Sequence, residues 1–375
     1  MGIFMNNVSL DTGLITNACR AVKKRFFTTS CSSLGIDINS HSVRVVELDL
    51  NNVDSTYQVN GFGYATISQS ATAVNCIEDA DRVADAVAEA ISLSGSKLQH
   101  VATAVSGSSV ISKVVDVPCG LTDDELEIFL SLNSDKYIPF PLNEVAIDFQ
   151  KLNIPSATKD REKILLTACR RDVIDKLVAA INTANLSVQV IDVAPFATER
   201  ALENFPRNPN PENGDLGLIV EIGENYIVCN LIDNEGALFV REEAINSSLK
   251  GVNKLSQDEF SRASPSYRSS SIQSRAEIKK DPCGISLKTL TAELKRALQM
   301  ASSSTNYEIG NLVLIGEAVP SINELDAIQE SLERKVSLGN PFQSMRFGPH
   351  LDPAELALRS SVLVTACGLA LRGLS

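Results

Sequence analysis

Leu34-Gly35-Ile36-Asp37-Ile38-Asn39-Ser40-His41-Ser42-Val43-Arg44-Val45-Val46-Glu47-Leu48 is two apolar runs joined by a polar tip of four residues. Branched aliphatics on both sides of such a break predict a β-hairpin. A third strand is expected at Tyr57 to Ala65, and Asp81 to Ser94 places Val83, Ala84, Val87, Ala88 and Ile91 on one helical face. The chain therefore opens strand, strand, strand, helix. The tip offers backbone N–H groups and the hydroxyls of Ser40 and Ser42, and Arg44 can add a charge-assisted contact, so it suits an anion. Asp37, just before it, suits a Mg²⁺ held through water.

The same order returns in the second half. Pro206-Arg207-Asn208-Pro209-Asn210-Pro211-Glu212-Asn213-Gly214 reads as a link between lobes. After it come Leu216 to Ile222, a polar turn at Gly223-Glu224-Asn225, Tyr226 to Ile232, and a second turn at Asp233-Asn234-Glu235-Gly236. A chain of 375 residues is long for one core and suits two. The duplication predicts an α/β protein of the actin-like ATPase fold, in which two hairpin tips face each other across a cleft.

Between the halves lies material that belongs to neither repeat. Val101 to Val105 and Ser109 to Val117 read as strands, and Pro118-Cys119-Gly120 ends the second. Thr122-Asp123-Asp124-Glu125 has the capping-box spacing of a helix start, and the helix must stop by Tyr137-Ile138-Pro139-Phe140-Pro141. Ile147 to Leu152, Lys163 to Cys169 and the helix Arg171 to Ala184 complete a small α/β insert. The expected division is an N-terminal extension over 1–31, a first lobe over 32–105 and 186–205, and the insert over 106–185. A second lobe is expected over 214–245 and 309–375, with a subdomain over 246–308. Residues 256–282 within that subdomain read as a mobile loop, because seven serines fall between Ser261 and Ser274. Thr289 to Ser302 and Ser361 to Leu371 are expected helices, and Leu312 to Ile315 a buried strand.

Composition narrows the function. A net charge of −12 argues against nucleic acid and against anionic lipid as partners. Eight cysteines are scattered without a CxxC, and the three histidines stand far apart, so no zinc or dithiol pattern arises; reduced thiols used as small core residues are expected. No run of about 18 apolar residues predicts a transmembrane helix. Leu10, Leu14, Ala18, Val22 and Phe26 recur at four-residue steps beside Arg20, Lys23, Lys24 and Arg25. That pattern is an amphipathic basic helix, read either as a docking element or as a solubilising extension.

Several strings are similar to one family. Gly35 to Val43 resembles the first phosphate motif of the PilM family, relatives of the division protein FtsA. The likeness continues through Val105-Ser106-Gly107-Ser108-Ser109-Val110-Ile111, Asp135-Lys136-Tyr137-Ile138-Pro139-Phe140-Pro141-Leu142-Asn143-Glu144-Val145 and Asp148-Phe149-Gln150. It includes Val190-Ile191-Asp192-Val193, Asn340-Pro341-Phe342 and Ala366-Cys367-Gly368-Leu369-Ala370-Leu371-Arg372, and runs from about residue 32 to the C-terminus. The resemblance implies an FtsA-like insert in the first lobe and ATP with Mg²⁺ as cofactor. The implied nucleotide contacts are Asp37, Asn39, Ser40, His41, Ser42 and Arg44 from the first tip, and Glu221 and Gly223 from the second. Gly316 would belong to the adenosine motif, and Glu293 and Arg296 have the spacing of ribose and adenine contacts; both also suit a solvated helix face.

It further implies partners: the N-terminal cytoplasmic peptide of PilN, the motor ATPases beneath the pilus, and the inner membrane only through such partners. Self-association is also compatible with it. The PilN peptide groove of the family points here to Val110, Tyr137, Ile138, Phe140 and Arg170. This sequence departs from the family in the second lobe, where Glu221 replaces an aspartate, Glu224-Asn225-Tyr226 follows Gly223, and Glu317 replaces the second glycine of a pair. A further glycine pair, expected after Ala244, is replaced by Ile245-Asn246-Ser247. Three functions fit: a pilus scaffold that binds ATP and peptide with slow or absent turnover, the same scaffold with a dead nucleotide site, and a small-molecule kinase of the same superfamily. The kinase is disfavoured, since no acid has the context of a general base and the insert replaces the usual substrate domain.

Overall fold

The two halves of the chain build the same sheet twice. A computed structural model describes residues 30–67, 72–73, 76–77, 79–152, 156, 160–202, 216–223, 226–232, 238–244, 287–304 and 309–374. The amphipathic stretch 9–27, the link 206–214, Glu224-Asn225, Ile245-Asn246-Ser247 and the serine-rich loop 256–282 lie outside the described residues.

In the first half, β1 (Ser30–Ile38) and β2 (Ser42–Asn51) form the expected hairpin, and β3 (Thr56–Thr66) runs antiparallel to β2. A minute hairpin, β4 (Thr72–Ala73) and β5 (Cys76–Ile77), precedes α1 (Ala80–Ser94). That helix starts where the Asp79 side chain accepts from the Arg82 N–H, and it ends at Gly95 with φ 70°, a left-handed conformation that glycine adopts without strain. β6 (His100–Val105) lies parallel to β1. The chain then leaves the sheet for β7 (Val110–Pro118), α2 (Asp123–Leu132), β8 (Val145–Lys151) and β9 (Arg161–Arg170). Those three strands form a separate antiparallel sheet in the order β7-β9-β8. Its core is its own, with Val117, Leu126, Leu130, Ile138 and Ile164 buried together. The Thr122 capping box on α2 is present as the sequence predicts. After α3 (Arg171–Thr183), β10 (Ser187–Val193) returns parallel to β6, and α4 (Ala194–Ala201) follows.

The second half repeats this with β11 (Leu216–Ile222), β12 (Tyr226–Ile232) and β13 (Leu238–Ala244), then α5 (Leu287–Ser304) and β14 (Ile309–Ile315). Next come α6 (Ile322–Leu332), β15 (Lys335–Leu338), β16 (Arg346–Phe347), α7 (Pro353–Arg359) and α8 (Val364–Gly373). The order β13-β12-β11-β14-β15 matches β3-β2-β1-β6-β10 strand for strand, with the same parallel and antiparallel senses. β16 adds to the first sheet beside β3.

The lobes share a core. Val46, Leu48 and Phe62 of the first sheet bury against Val313, Ile315 and Cys367. Close packing of α8 depends on two glycines: a Cβ on Gly35 would overlap the Ala366 carbonyl oxygen, and one on Gly368 would overlap that of Ala197.

Candidate functional site in the interlobe cleft

The hairpin register puts Asp37 opposite Arg44. Arg44 Nη1 donates to Asp37 Oδ2 at 3.0 Å, and the same guanidinium crosses the cleft to Glu221 Oε1 at 3.1 Å and to Glu317 Oε1 at 3.0 Å. Glu221 comes from the end of β11. Glu317 follows Gly316, whose φ of 103° turns the chain sharply after β14. A side chain on Gly316 would strike the backbone of Ile222.

The rest of the first tip is also engaged across the cleft. Asn39 Oδ1 accepts from the N–H groups of His41 and Ser42, which closes the turn, and Asn39 Nδ2 donates to the Tyr226 hydroxyl at 3.0 Å. Ser42 Oγ donates to Glu317 Oε1 at 2.6 Å. The His41 ring stacks on Tyr226, centroids 5.5 Å apart. At the second tip, the Tyr226 ring fills the space a side chain on Gly223 would need.

Three buried or half-buried carboxylates thus surround one guanidinium. Burial raises the Asp37 carboxyl to about 6, with Glu221 and Glu317 adding to the rise against the pull of Arg44. For Glu317 burial also works upward, but the Arg44 charge and hydrogen bonds from Ser42, Arg44 and Tyr64 outweigh it and leave the group lowered. Burial and Glu221 push the Tyr226 phenol far up.

This arrangement does not fit the triphosphate the family resemblance implies. Asn39, Ser42 and Arg44, the donors expected to hold phosphates, spend themselves on Tyr226, Glu221 and Glu317. Two glutamates of the second lobe stand where an anion would be received, and like charge repels it. Asp37 lines the cleft cavity and is held by Arg44. Ser40 lines the cleft, whereas Gly316 serves a backbone turn. Glu293 is half-buried and Arg296 exposed on α5, and neither lines the cleft cavity. Tyr226 and Glu317 were legible only as departures from a glycine-rich pattern, and they are the groups that complete the site.

The residues expected to form a peptide groove divide. Val110 and Arg170 sit at the root of the insert, where β7 and β9 begin and end, and Val110 packs on the first-lobe core. Arg170 is exposed and pairs with Asp172 at 2.8 Å. Phe140 is 40% exposed, whereas Ile138 is 4% exposed within the insert core and Tyr137 packs beside it. Ile138 is therefore a packing residue and not a groove surface. Cys169, Cys229 and Cys367 are buried and form no disulfide, and Cys19 and Cys283 lie outside the described residues. No single described helix is long and apolar enough to cross a membrane.

The sequence model of the family described as "Type IV pilus assembly protein PilM" matches residues 35–374. The chain is similar to a solved PilM-PilN type IV pilus biogenesis complex, at 22% identity over 92% of this chain and 98% of that one, with a TM-score of 0.67. It is also similar to ethanolamine utilization protein EutJ from Carboxydothermus hydrogenoformans, at 13% identity over 91% and 89% of the two chains, with a TM-score of 0.45. The doubled sheet, the shared core and the insert are the actin-like fold.

Proposed function

The chain belongs to the type IV pilus assembly protein PilM family, and from that premise we propose that it is a cytoplasmic scaffold at the inner membrane that captures the N-terminal peptide of PilN. The observation that carries this reading is the separate insert sheet, rooted at Val110 and Arg170 beside the first lobe, with Phe140 left exposed on the same unit. A groove at this root would bind an extended peptide at low ordering cost and without hydrolysis. The membrane is then reached through PilN, and motor ATPases or further copies of the chain join the same scaffold.

A second reading concerns nucleotide. The bridge from Arg44 to Glu221 and Glu317 favours a scaffold whose cleft is closed by its own side chains and does not take ATP. Fluorescence anisotropy with a labelled peptide copying the cytoplasmic start of the cognate PilN tests the main reading. Binding without ATP is expected, and Phe140→Ser, at an exposed ring outside the insert core, should weaken it. Absence of binding by the unmodified protein, with or without ATP, rejects it.

A further inference from the structure

Helix α2 of the insert buries one face and leaves the other open. Leu126 and Leu130 enter the insert core, while Ile128 and Leu132 stand 61% and 81% exposed. Asp124, Ile128 and Leu132 fall at four-residue steps with Glu127 and Ser131 alongside, so they share one stripe of the helix. Asp124, Glu127 and, just past the helix, Asp135 are exposed, and their carboxylates make no ion pair or hydrogen bond among the described residues. Asp123 and Glu125 differ, since Lys151 and the capping box engage them. The open face is thus an apolar pair set among acids.

A helix that covers such a face needs aliphatic side chains at matching steps and positive charge beside them. Residues 9–27, outside the described part of the chain, carry that complement. Leu10, Leu14, Ala18, Val22 and Phe26 recur every fourth position, and Arg20, Lys23, Lys24 and Arg25 accompany them against a single acid, Asp11. In a protein of net charge −12 this stretch is locally basic.

The path of the chain decides which copy supplies the segment. β6 lies parallel to β1 with Ile36 beside Thr103, so the insert, which leaves after Val105, is rooted at the tip end of the first sheet. Ser30 begins β1 at the opposite end, roughly 26 Å away at about 3.3 Å per residue. Phe26 precedes Ser30 by four residues, a reach of about 14 Å. The basic end of the segment therefore falls short of its own insert.

We propose that residues 9–27 of one copy dock on the open face of α2 in a neighbouring copy. The segment lies antiparallel to α2, its aliphatic row over Ile128 and Leu132 and its basic end against Asp124 and Glu127. Each copy offers one segment and one face, so the contact runs head to tail and joins scaffolds in a row. The inference goes beyond peptide capture, and its readout is self-association, so either can fail without the other.

Sedimentation velocity of the full chain over a concentration series tests it. Two double variants are compared, Ile128→Ser with Leu132→Ser on the face and Leu14→Asp with Val22→Asp on the segment, with circular dichroism as the folding control. Reversible association of the unmodified protein is expected, weakened at least about tenfold in either variant and weakened by added salt. An equimolar mixture of the two variants should restore a dimer and stop there, because only one intact segment and one intact face remain. A monomeric unmodified protein, undiminished association in either variant, or a mixture that stays monomeric overturns the proposal. So does a protein that remains monomeric yet pellets with phosphatidylglycerol vesicles and loses this on Leu14→Asp with Val22→Asp, which assigns the segment to lipid.

Discussion

Arg44 and Glu317 stand 273 positions apart in the chain and meet at 3.0 Å, each contributed by a different lobe. Arg44 is 3% exposed at its side chain, so the contact is made out of water, where charge pairs are strong and unpaired charges costly. Glu317 also takes the Ser42 hydroxyl at 2.6 Å. The first tip therefore holds a carboxylate of its own protein in the way an anion-binding tip holds a ligand.

Arg44→Met should destabilise the fold by about 3–5 kcal/mol in urea unfolding, because Asp37, Glu221 and Glu317 lose the cation they share. Glu317→Gln keeps an oxygen that accepts from Ser42 and Arg44 and should cost less. A milder loss for Arg44→Met than for Glu317→Gln would show that the guanidinium is not the centre of the cluster.

MgATP should leave the melting temperature of the unmodified protein unchanged. A ligand at a hundred times its Kd stabilises by about 2.7 kcal/mol, which shifts the Tm of a protein this size by several degrees. Differential scanning fluorimetry with millimolar MgATP reads this directly, and a reproducible upward shift would show that the tips open to admit phosphate.

The hairpin at residues 34–48 was readable from its pattern, and so was its repeat after residue 215, because alternation and turn chemistry are local properties. The ligand state of that hairpin was not. Whether Arg44 faces a phosphate or Glu317 depends on a residue hundreds of positions away, and no window of sequence contains both. The short helix α4 and the strand β15 carried little periodicity, whereas α6 places Ile322, Leu325, Ile328 and Leu332 at three- and four-residue steps behind the capping box of Ser321 and Glu324. Ile138 was misplaced as well. The family resemblance put it in a peptide groove, while the side chain itself turns into the insert core.

Stability should rise as the solution is acidified from about pH 7.5 to about pH 5. Asp37 is raised from 3.8 to about 6, so the folded protein holds this proton more tightly than the unfolded chain does. The stability it contributes is complete below 3.8 and is lost as pH climbs through about 6. Asp148, raised to about 7 mainly by burial, acts in the same direction. Glu317 is lowered and acts oppositely: its contribution is present above 4.5 and disappears as pH falls through its depressed value. Thermal melts across this range should show the rise, and Asp37→Asn should flatten much of it. A Tm that falls steadily from pH 7.5 to pH 5 in the unmodified protein contradicts the assignment.

Ile138 and Phe140 lie two residues apart, yet their substitutions should separate folding from recognition. Ile138 packs with Leu126, Leu130 and Ile164, so Ile138→Asp buries a charge in an apolar core and should cost about 3 kcal/mol or more. Loss of peptide binding in that variant would say nothing about a groove, because the insert itself would be loosened. Phe140 is 40% exposed, and Phe140→Ser should change global stability by only about 0.5 kcal/mol. If the exposed ring is part of the PilN surface, the same substitution should weaken the peptide at least about tenfold, as aromatic anchors do at interface centres. Urea unfolding of both variants alongside peptide anisotropy gives the comparison. Unaltered peptide affinity in a stable Phe140→Ser protein would remove this ring from the docking surface and leave Val110 and the insert root as its remaining candidates.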